Sequence, residues 1–480
     1  MTREVLVNVT PREMRAALLE NGALQEIYIE RAGHRGIVGN LYAGRVTRVL
    51  PGMQAAFLDI GLARNAFLHA ADIESRPEPR PIAELVRPGE TLLVQVLKDP
   101  LGTKGARLTR QVSLPSRFLV YTPFAEGIGI STRIGDEAER ERLRTLVRDL
   151  AATYGMGGGY IARTAAEGVP LEALAADMLY LSRLWEHIRQ RASDAGACLL
   201  HEELPLSLRV LRDEFGPDVV RVLVDSDLEY ARMRAFADAF MPEAGPGIEQ
   251  YGGPRPLFAL HGVEEEIARA LERKVPLKSG GYIVIDQTEA MTTIDVNTGA
   301  YVGYSNQEDT SYRTNLEAAV AIAHQLRLRN LGGIIIIDFI DMASGAHREQ
   351  LMVALRGALA ADRAQTQVVS VSALGLVEMT RKRTRESLEH LLCDACPTCE
   401  GRGFLKSVET VCHEVYREVL RQSRQFNVGQ VVVLAHPEVI ERLLDEEAEV
   451  LAAMEQQVNK PLRLQAEALY ARDQFDVVLA

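Results

Sequence analysis

Two short apolar runs constrain this chain more than any other feature. Met291-Thr-Thr-Ile-Asp295 and Gly333-Ile-Ile-Ile-Ile-Asp338 each finish on an aspartate. Runs rich in β-branched residues are stiff at the side chain and pack well on a pleated surface, so strands are predicted over Met291–Asp295 and Gly333–Asp338. Between them, Asn315–Arg329 carries apolar residues at helical spacing. A strand is read at Tyr282–Ile285, a second helix at Arg348–Asp362 and another strand at Gln367–Ser372. Strands alternating with helices predict an α/β domain. In open α/β sheets, ligands bind beyond the carboxyl ends of the strands, where both aspartates stand.

Two carboxylates from neighbouring strands suit a hard cation. Mg²⁺ is commonly held by one or two carboxylates, keeps several waters and meets phosphate oxygens. It lowers the pKa of a bound water and stabilises charge on phosphorus. Asn297 lies two residues past Asp295, on the same side of an extended chain, where it can orient a phosphate oxygen or a water. Asp341 either supports the pair from behind or is merely solvated. The rival reading makes each aspartate a turn-starting residue, which Asp295-Val-Asn-Thr-Gly suits well. A phosphate-loop hydrolase is excluded, because the chain has no Gly-Lys dipeptide. It also lacks His-Glu-x-x-His and Gly-x-Ser-x-Gly.

Ahead of this region, residues 37–98 read as short strands broken by Pro51-Gly52 and Arg87-Pro-Gly-Glu90, which predicts a small β-barrel closed by the loop Asp99–Gly105. Phe57 and Phe67 fall in this barrel, with Lys104, Arg107 and Arg110 after it. Aromatics on a barrel face stack bases and flanking cations follow phosphates, although two core phenylalanines would look the same in sequence. The 480 residues hold 54 Lys/Arg and 66 Asp/Glu, a net charge of −12, which argues against a uniformly basic coat. The charge is uneven, however. Residues 31–117 hold thirteen bases and seven acids, while residues 431–480 hold ten acids and four bases. Nucleic-acid binding is therefore expected along a track. Helices are predicted over 137–153 and 171–191, with the glycine-rich approach Gly157-Gly-Gly-Tyr-Ile-Ala-Arg163-Thr164 between them. A guanidinium fork beside a hydroxyl suits a terminal phosphate.

Cys393-Asp-Ala-Cys396-Pro-Thr-Cys399-Glu-Gly-Arg-Gly403 predicts a zinc knuckle, in which glycines let backbone N–H groups turn towards sulfur. One turn supplies two ligands, or three with Cys393. His390, Cys412 or His413 closes the site within one chain, or a second chain supplies an identical pair on a two-fold axis. Cys198, flanked by Ala197, Leu199 and Leu200, reads as a core residue. After the cluster, a helix is predicted at Glu409–Gln422, a strand at Val431–Ala435 and one acidic helix over Ile440–Gln456. The start of the chain has an acid at Glu4 and no apolar leader core, and its apolar runs are too short to span a bilayer. A cytoplasmic location without a membrane partner is expected.

Three runs together resemble the ribonuclease E/G family. They are Leu277-Lys-Ser-Gly-Gly-Tyr-Ile-Val-Ile-Asp-Gln-Thr-Glu-Ala-Met-Thr-Thr-Ile-Asp-Val-Asn-Thr-Gly299, Gln325-Leu-Arg-Leu-Arg-Asn-Leu-Gly-Gly-Ile-Ile-Ile-Ile-Asp-Phe-Ile-Asp-Met342 and Arg381-Lys-Arg-Thr-Arg-Glu-Ser-Leu-Glu-His390. The resemblance covers essentially the whole chain. It is closest to the G branch, on the reading that the chain stops after a compact C-terminal section without the long disordered tail of the E branch.

The resemblance implies an α+β multidomain protein. Residues 1–35 and 212–275 would form an RNase-H-like domain, interrupted by an OB-fold RNA-binding barrel at 36–118 and a 5′-phosphate sensor region at 119–211. A DNase-I-like catalytic domain at 276–392, a zinc link at 393–406 and a small dimerisation domain at 407–480 would follow. The activity implied is Mg²⁺-dependent endoribonuclease cleavage of single-stranded RNA, with ribosomal RNA precursor processing and mRNA decay as its uses. The family's metal-binding aspartates match Asp295 and Asp338, and its accompanying asparagine matches Asn297. Its zinc-link cysteines match Cys396 and Cys399, one pair from each protomer of a homodimer or larger assembly. Its base-contacting aromatics match Phe57 and Phe67, and its sensor for a 5′-monophosphate matches Arg163 and Thr164. Cys393 is a thiol beyond the family pair. The alternative from another class is a non-catalytic RNA-binding scaffold.

Overall fold

The computed structural model describes residues 2–33, 35–74, 80–100, 104–193, 197–216, 218–242, 244–299, 307–372, 374–383, 385–426 and 429–479. Residues 101–103 of the Asp99–Gly105 loop, and Thr384 of the run Arg381–His390, lie outside them. The chain divides into two compact units, Met1–Leu388 and Glu389–Ala480.

In the first unit, Arg3–Val9, Glu13–Glu20 and Ala23–Arg31 form an antiparallel meander. Its second turn uses Asn21 and Gly22, both at positive φ, as tight hairpins require. Val219–Val224 joins the meander as a parallel neighbour of Arg3–Val9, and Ile248–Gln250 extends the sheet to five strands. One sheet is thus built from segments some 190 residues apart in sequence.

The intervening chain first makes a closed barrel. Leu41–Leu50, Ala55–Asp59, Ala66–His69, Arg107–Thr109 and Thr91–Lys98 pair in that order, and Thr91–Lys98 returns to Leu41–Leu50. Cys198–His201 adds to the outside of Leu41–Leu50. The barrel is filled by alternate residues, among them Val46, Ala56, Leu58, Ala66, Leu68, Val94 and Leu108. Gly105 permits closure, since a Cβ there would run into the Asn65 carbonyl. A four-stranded sheet follows, covered by helices Glu137–Thr153 and Leu171–Ser193.

The last sheet of this unit has six strands in the order Lys274–Pro276, Tyr282–Gln287, Met291–Asn297, Gly333–Asp338, Val377–Arg381 and Thr366–Val371. Helices Gln307–Leu328 and Gly345–Leu359 share one core with it, through Ala319, Ile322, Leu326 and Leu355 against Ile294, Ile335 and Ile337. The first of these helices begins eight residues earlier than periodicity predicts. Its opening turns are polar and carry no apolar stripe. The isoleucine strand is buried on this helix side alone, and Ile334, on the opposite side, is 49% exposed.

In the second unit, Val431–Ala435 pairs in parallel with Leu462–Ala466 and antiparallel with Phe475–Leu479. Helix Val408–Gln425 packs on this sheet through Val411, Cys412, Val415 and Val419. The single acidic helix predicted over 440–456 is instead two, Pro437–Leu444 and Ala448–Val458. Between them Asp445-Glu446-Glu447 curls back, bringing Glu446 within 2.8 Å and Glu447 within 3.8 Å of Arg442. The Glu447 N–H donates to the Arg442 carbonyl five residues back at 3.1 Å, which interrupts the helical repeat. Among the described residues, no helix is long and apolar enough to cross a membrane.

Candidate active site and RNA-contact surface

Met291–Asn297 and Gly333–Asp338 are parallel neighbours, and their register sets Asp295 directly beside Asp338. Strand alternation then decides where the two carboxylates point. Ile294, Val296, Ile335 and Ile337 enter the core under the helices. Asp295, Asn297 and Asp338 share the opposite parity, so they project from the open face at the carboxyl end of the sheet. Both aspartates are exposed. Asn297 donates from Nδ2 to Asp295 Oδ2 at 2.8 Å, which holds that carboxylate in place.

Partial burial, then the nearby Asp295 and Asp341 carboxylates, push the Asp338 carboxyl above its usual range. Among the described residues, no three or more His, Cys, Asp or Glu side chains cluster as a metal site. The donor set on offer is therefore a carboxylate pair under mutual repulsion.

The loop after Asp338 is fixed by two residues that sequence reasoning missed. Asn315 is fully buried. It donates to the Ile340 carbonyl at 2.7 Å and accepts from the Ile340 N–H at 3.0 Å. Glu308 accepts from the Ala343 and Ser344 N–H groups at 2.9 and 3.0 Å and meets His347 Nδ1 at 3.1 Å. No local sequence signal marks either residue. Their role appears only once helix Gln307–Leu328 lies beside the loop.

On the barrel, Phe57 and Phe67 are register partners whose ring centroids lie 6.0 Å apart, edge to face. Both are half-buried and point outward, while their neighbours Ala56, Leu58, Ala66 and Leu68 fill the core. Arg48 is the partner of Phe57 on one side, and Arg107 is the partner of Phe67 on the other. A row Arg48–Phe57–Phe67–Arg107 thus crosses four strands. Arg107 also pairs with Asp72 at 2.9 Å. Arg48 was not a sequence candidate, because a register shift in its strand hides which way it faces. Lys104 is exposed.

Arg163 and Thr164 follow the strand Gly159–Ala162. Arg163 donates to the Ser116 carbonyl at 2.6 Å and to Asp213 at 2.7 Å. The Thr164 hydroxyl lies 2.8 Å from that of Ser131 and is exposed.

In the second unit, Cys396 and Cys399 sit on a tight turn. Gly403, at φ +77°, directs its N–H to Cys399 Sγ at 3.4 Å. The backbone N–H groups of Cys399 and Thr398 hold the Cys396 thiol below its usual value. Cys393 and His413 are exposed. Cys412 is wholly buried, and burial pushes its thiol up to about 11, so it behaves as a core residue. Cys198 is half-buried against the core under helix Leu171–Ser193.

Comparison with known proteins agrees across the chain. Residues 113–384 match the family model described as ribonuclease E/G family, and residues 395–478 match that of the RNase E/G thioredoxin-like domain. The chain is 54% identical to ribonuclease G of Escherichia coli (strain K12) over 491 aligned positions, covering 100% of both. It is 51% identical to ribonuclease G of Haemophilus influenzae, covering 99% of both. It is 37% identical to ribonuclease E of Escherichia coli (strain K12), covering 94% of this chain and 44% of that one.

Proposed function

The chain belongs to the ribonuclease E/G family, and from that premise we propose that it is a cytoplasmic endoribonuclease that cuts single-stranded RNA by Mg²⁺-dependent phosphodiester hydrolysis and prefers a 5′-monophosphate. Ribosomal RNA precursors and mRNA are its proposed substrates. The observation that carries the reading is Asp295 beside Asp338, exposed at the carboxyl ends of two parallel strands. Two adjacent hard oxygen donors under mutual repulsion fit Mg²⁺, and a divalent cation relieves the repulsion. Bound there, the ion supplies Lewis acidity to the scissile phosphodiester.

The remaining steps belong to the chain's own side chains. Asn297 keeps the Asp295 carboxylate turned to the site. Phe57 and Phe67 offer two faces for stacking bases, and Arg48 and Arg107 at the ends of the row take the flanking phosphates, with Lys104 beyond them. Arg163 and Thr164 donate to the terminal phosphate. Binding confined to this track reconciles RNA affinity with a net charge of −12. The sheet shared by residues 3–31 and 219–250 would be the split RNase-H-like domain. Cys396 and Cys399 fit half of a structural Zn²⁺ site, since thiolates at this spacing are zinc donors and backbone N–H groups already favour the charged sulfur. The same pair from a second protomer would complete it, giving a homodimer or larger assembly.

The test is cleavage of a short single-stranded RNA by wild type, Asp295→Asn and Asp338→Asn, with Mg²⁺ or with EDTA. Wild type alone should cut, only with Mg²⁺, and faster with a 5′-monophosphate than with a 5′-triphosphate. Cleavage that survives both substitutions and EDTA would overturn the metal assignment. RNA that is bound but never cut would make the protein a scaffold.

A further inference from the structure

Arg163 stands at one end of a chain of ion pairs. Its Nη2 donates to Asp213 Oδ1 at 2.7 Å. Asp213 is at the same time forked by Arg212, through Nε at 3.2 Å and Nη2 at 2.9 Å, and Arg212 reaches Glu203 at 2.9 Å. Burial works against the charge on Asp213, but Arg212 and then Arg163 outweigh it and hold the carboxyl below its usual range.

Asp213 is also held by its main chain. It stands in the last turn of helix Leu206–Glu214. Arg363 donates to the Asp213 carbonyl at 2.7 Å and to the Glu214 carboxylate at 2.6 Å. The residue before Arg363, Asp362, pairs with Arg381 at 2.6 Å, and both are almost fully buried. Arg381 ends the strand that pairs with Gly333–Asp338. The carboxylate under Arg163 is thus tied to the sheet that carries Asp338.

A free arginine side chain samples many rotamers, and fixing it in advance raises affinity by lowering the ordering cost of binding. The Ser116 carbonyl and Asp213 engage two of the five N–H donors of Arg163. Arg212 is shared between Asp213 and Glu203, so Arg163 and Arg212 together balance the two carboxylates, and it is the remaining N–H donors of Arg163 that are left for an incoming phosphate. We propose that Asp213 is a positioning residue for 5′-end selection, aiming Arg163 at the terminal phosphate rather than competing with it.

This inference rests on the reading of Arg163 as the 5′-phosphate contact, and the experiment separates the two. The readout is the ratio of kcat/KM for one RNA carrying a 5′-monophosphate to that for the same RNA with a 5′-hydroxyl. It is measured for wild type, Arg163→Gln, Asp213→Asn, Asp213→Ala and the Arg163→Gln/Asp213→Ala double variant. Asp213→Ala should lower the ratio by about tenfold, the scale set by losing the pre-ordering of one long side chain. Asp213→Asn, which keeps an acceptor, should lower it less, and it carries the test where Asp213→Ala folds poorly. In the double variant, Asp213→Ala should add nothing to Arg163→Gln.

A ratio that is unchanged or raised in both Asp213 variants overturns the inference, and so does an equal fall on both substrates, which marks a structural role. If Arg163→Gln leaves the ratio at the wild-type value, the sensor reading itself fails. If Arg163→Gln lowers the ratio while both Asp213 variants keep it, the sensor stands and only the inference falls.

Discussion

Asp338→Asn should leave the metal-free protein slightly more stable while abolishing cleavage. Asp295 and Asp338 are direct cross-strand partners, and Asp341 adds to the repulsion. Like charges placed opposite each other on neighbouring strands destabilise a sheet by roughly 0.2–1 kcal/mol. Both carboxylates are exposed, so water screens them and the effect belongs at about 0.2–0.5 kcal/mol. For a unit of this size that is at most about 1–2 °C in Tm.

The pH dependence follows from the raised carboxyl of Asp338. The folded state holds this proton more tightly than the unfolded chain, so folding disfavours the charged form. Wild type therefore loses stability as pH rises from the unfolded aspartate value, about 3.9, through the higher folded one. Asparagine carries no charge, so its advantage is complete above the folded value and vanishes below about pH 3.9. Mg²⁺ should reverse the order, since a ligand at 100 times its Kd stabilises the native state by about 2.7 kcal/mol and the variant would bind it more weakly. Thermal melts of both proteins, in EDTA and in excess Mg²⁺, between about pH 4 and pH 8 measure all three effects. A variant less stable than wild type in EDTA by more than about 1 kcal/mol would mean that Asp338 anchors the chain turn, and the carboxylate-pair reasoning would be refuted. Equal stabilisation of both proteins by Mg²⁺ would refute it too.

Phe57→Ala or Phe67→Ala should weaken binding of a short single-stranded RNA by about 1–3 kcal/mol in fluorescence anisotropy, at a stability cost near 1 kcal/mol from the lost ring pair. Unchanged binding with an unfolded barrel would return both rings to a packing role. Asn315→Ala should cost about 2–5 kcal/mol in urea denaturation, because the Ile340 N–H and carbonyl both lose their partner. A loss under about 1 kcal/mol would show that the loop re-satisfies itself. Cys412→Ala should keep the wild-type zinc content, about half an ion per chain for a shared four-thiolate site, whereas Cys396→Ser should lose it. A full ion per wild-type chain, or its loss in Cys412→Ala, would place the site within one chain.

The two aspartate strands are legible from sequence because stiff, apolar side chains favour a pleat wherever they occur, although the first runs two residues past Asp295, to Asn297. The strand Gly333–Asp338 has in the structure the bounds that its isoleucines imply. The single helix expected over 440–456 fails for the opposite reason. Periodicity counts apolar residues and is blind to the turn at Asp445–Glu447, where the Glu447 N–H bonds the Arg442 carbonyl five residues back instead of four. The two phenylalanines mark the limit of local reasoning. Core and surface rings look alike in sequence, and only the register of four strands turns Phe57 and Phe67 outward between Arg48 and Arg107.

By itself, then, the sequence determined what is local: the β-branched strands, the helices with an apolar stripe, the cysteine spacing and the runs that mark the family. Tertiary structure decided what meets what. Alternation puts Asp295, Asn297 and Asp338 on one face, but only helix packing makes that face the open one. Arg163 and Asp213 are fifty residues apart, as are Arg381 and its partner, the Leu331 carbonyl. Side-chain chemistry acts over a few ångströms, and no pattern along the chain records which distant residues the fold brings within that reach.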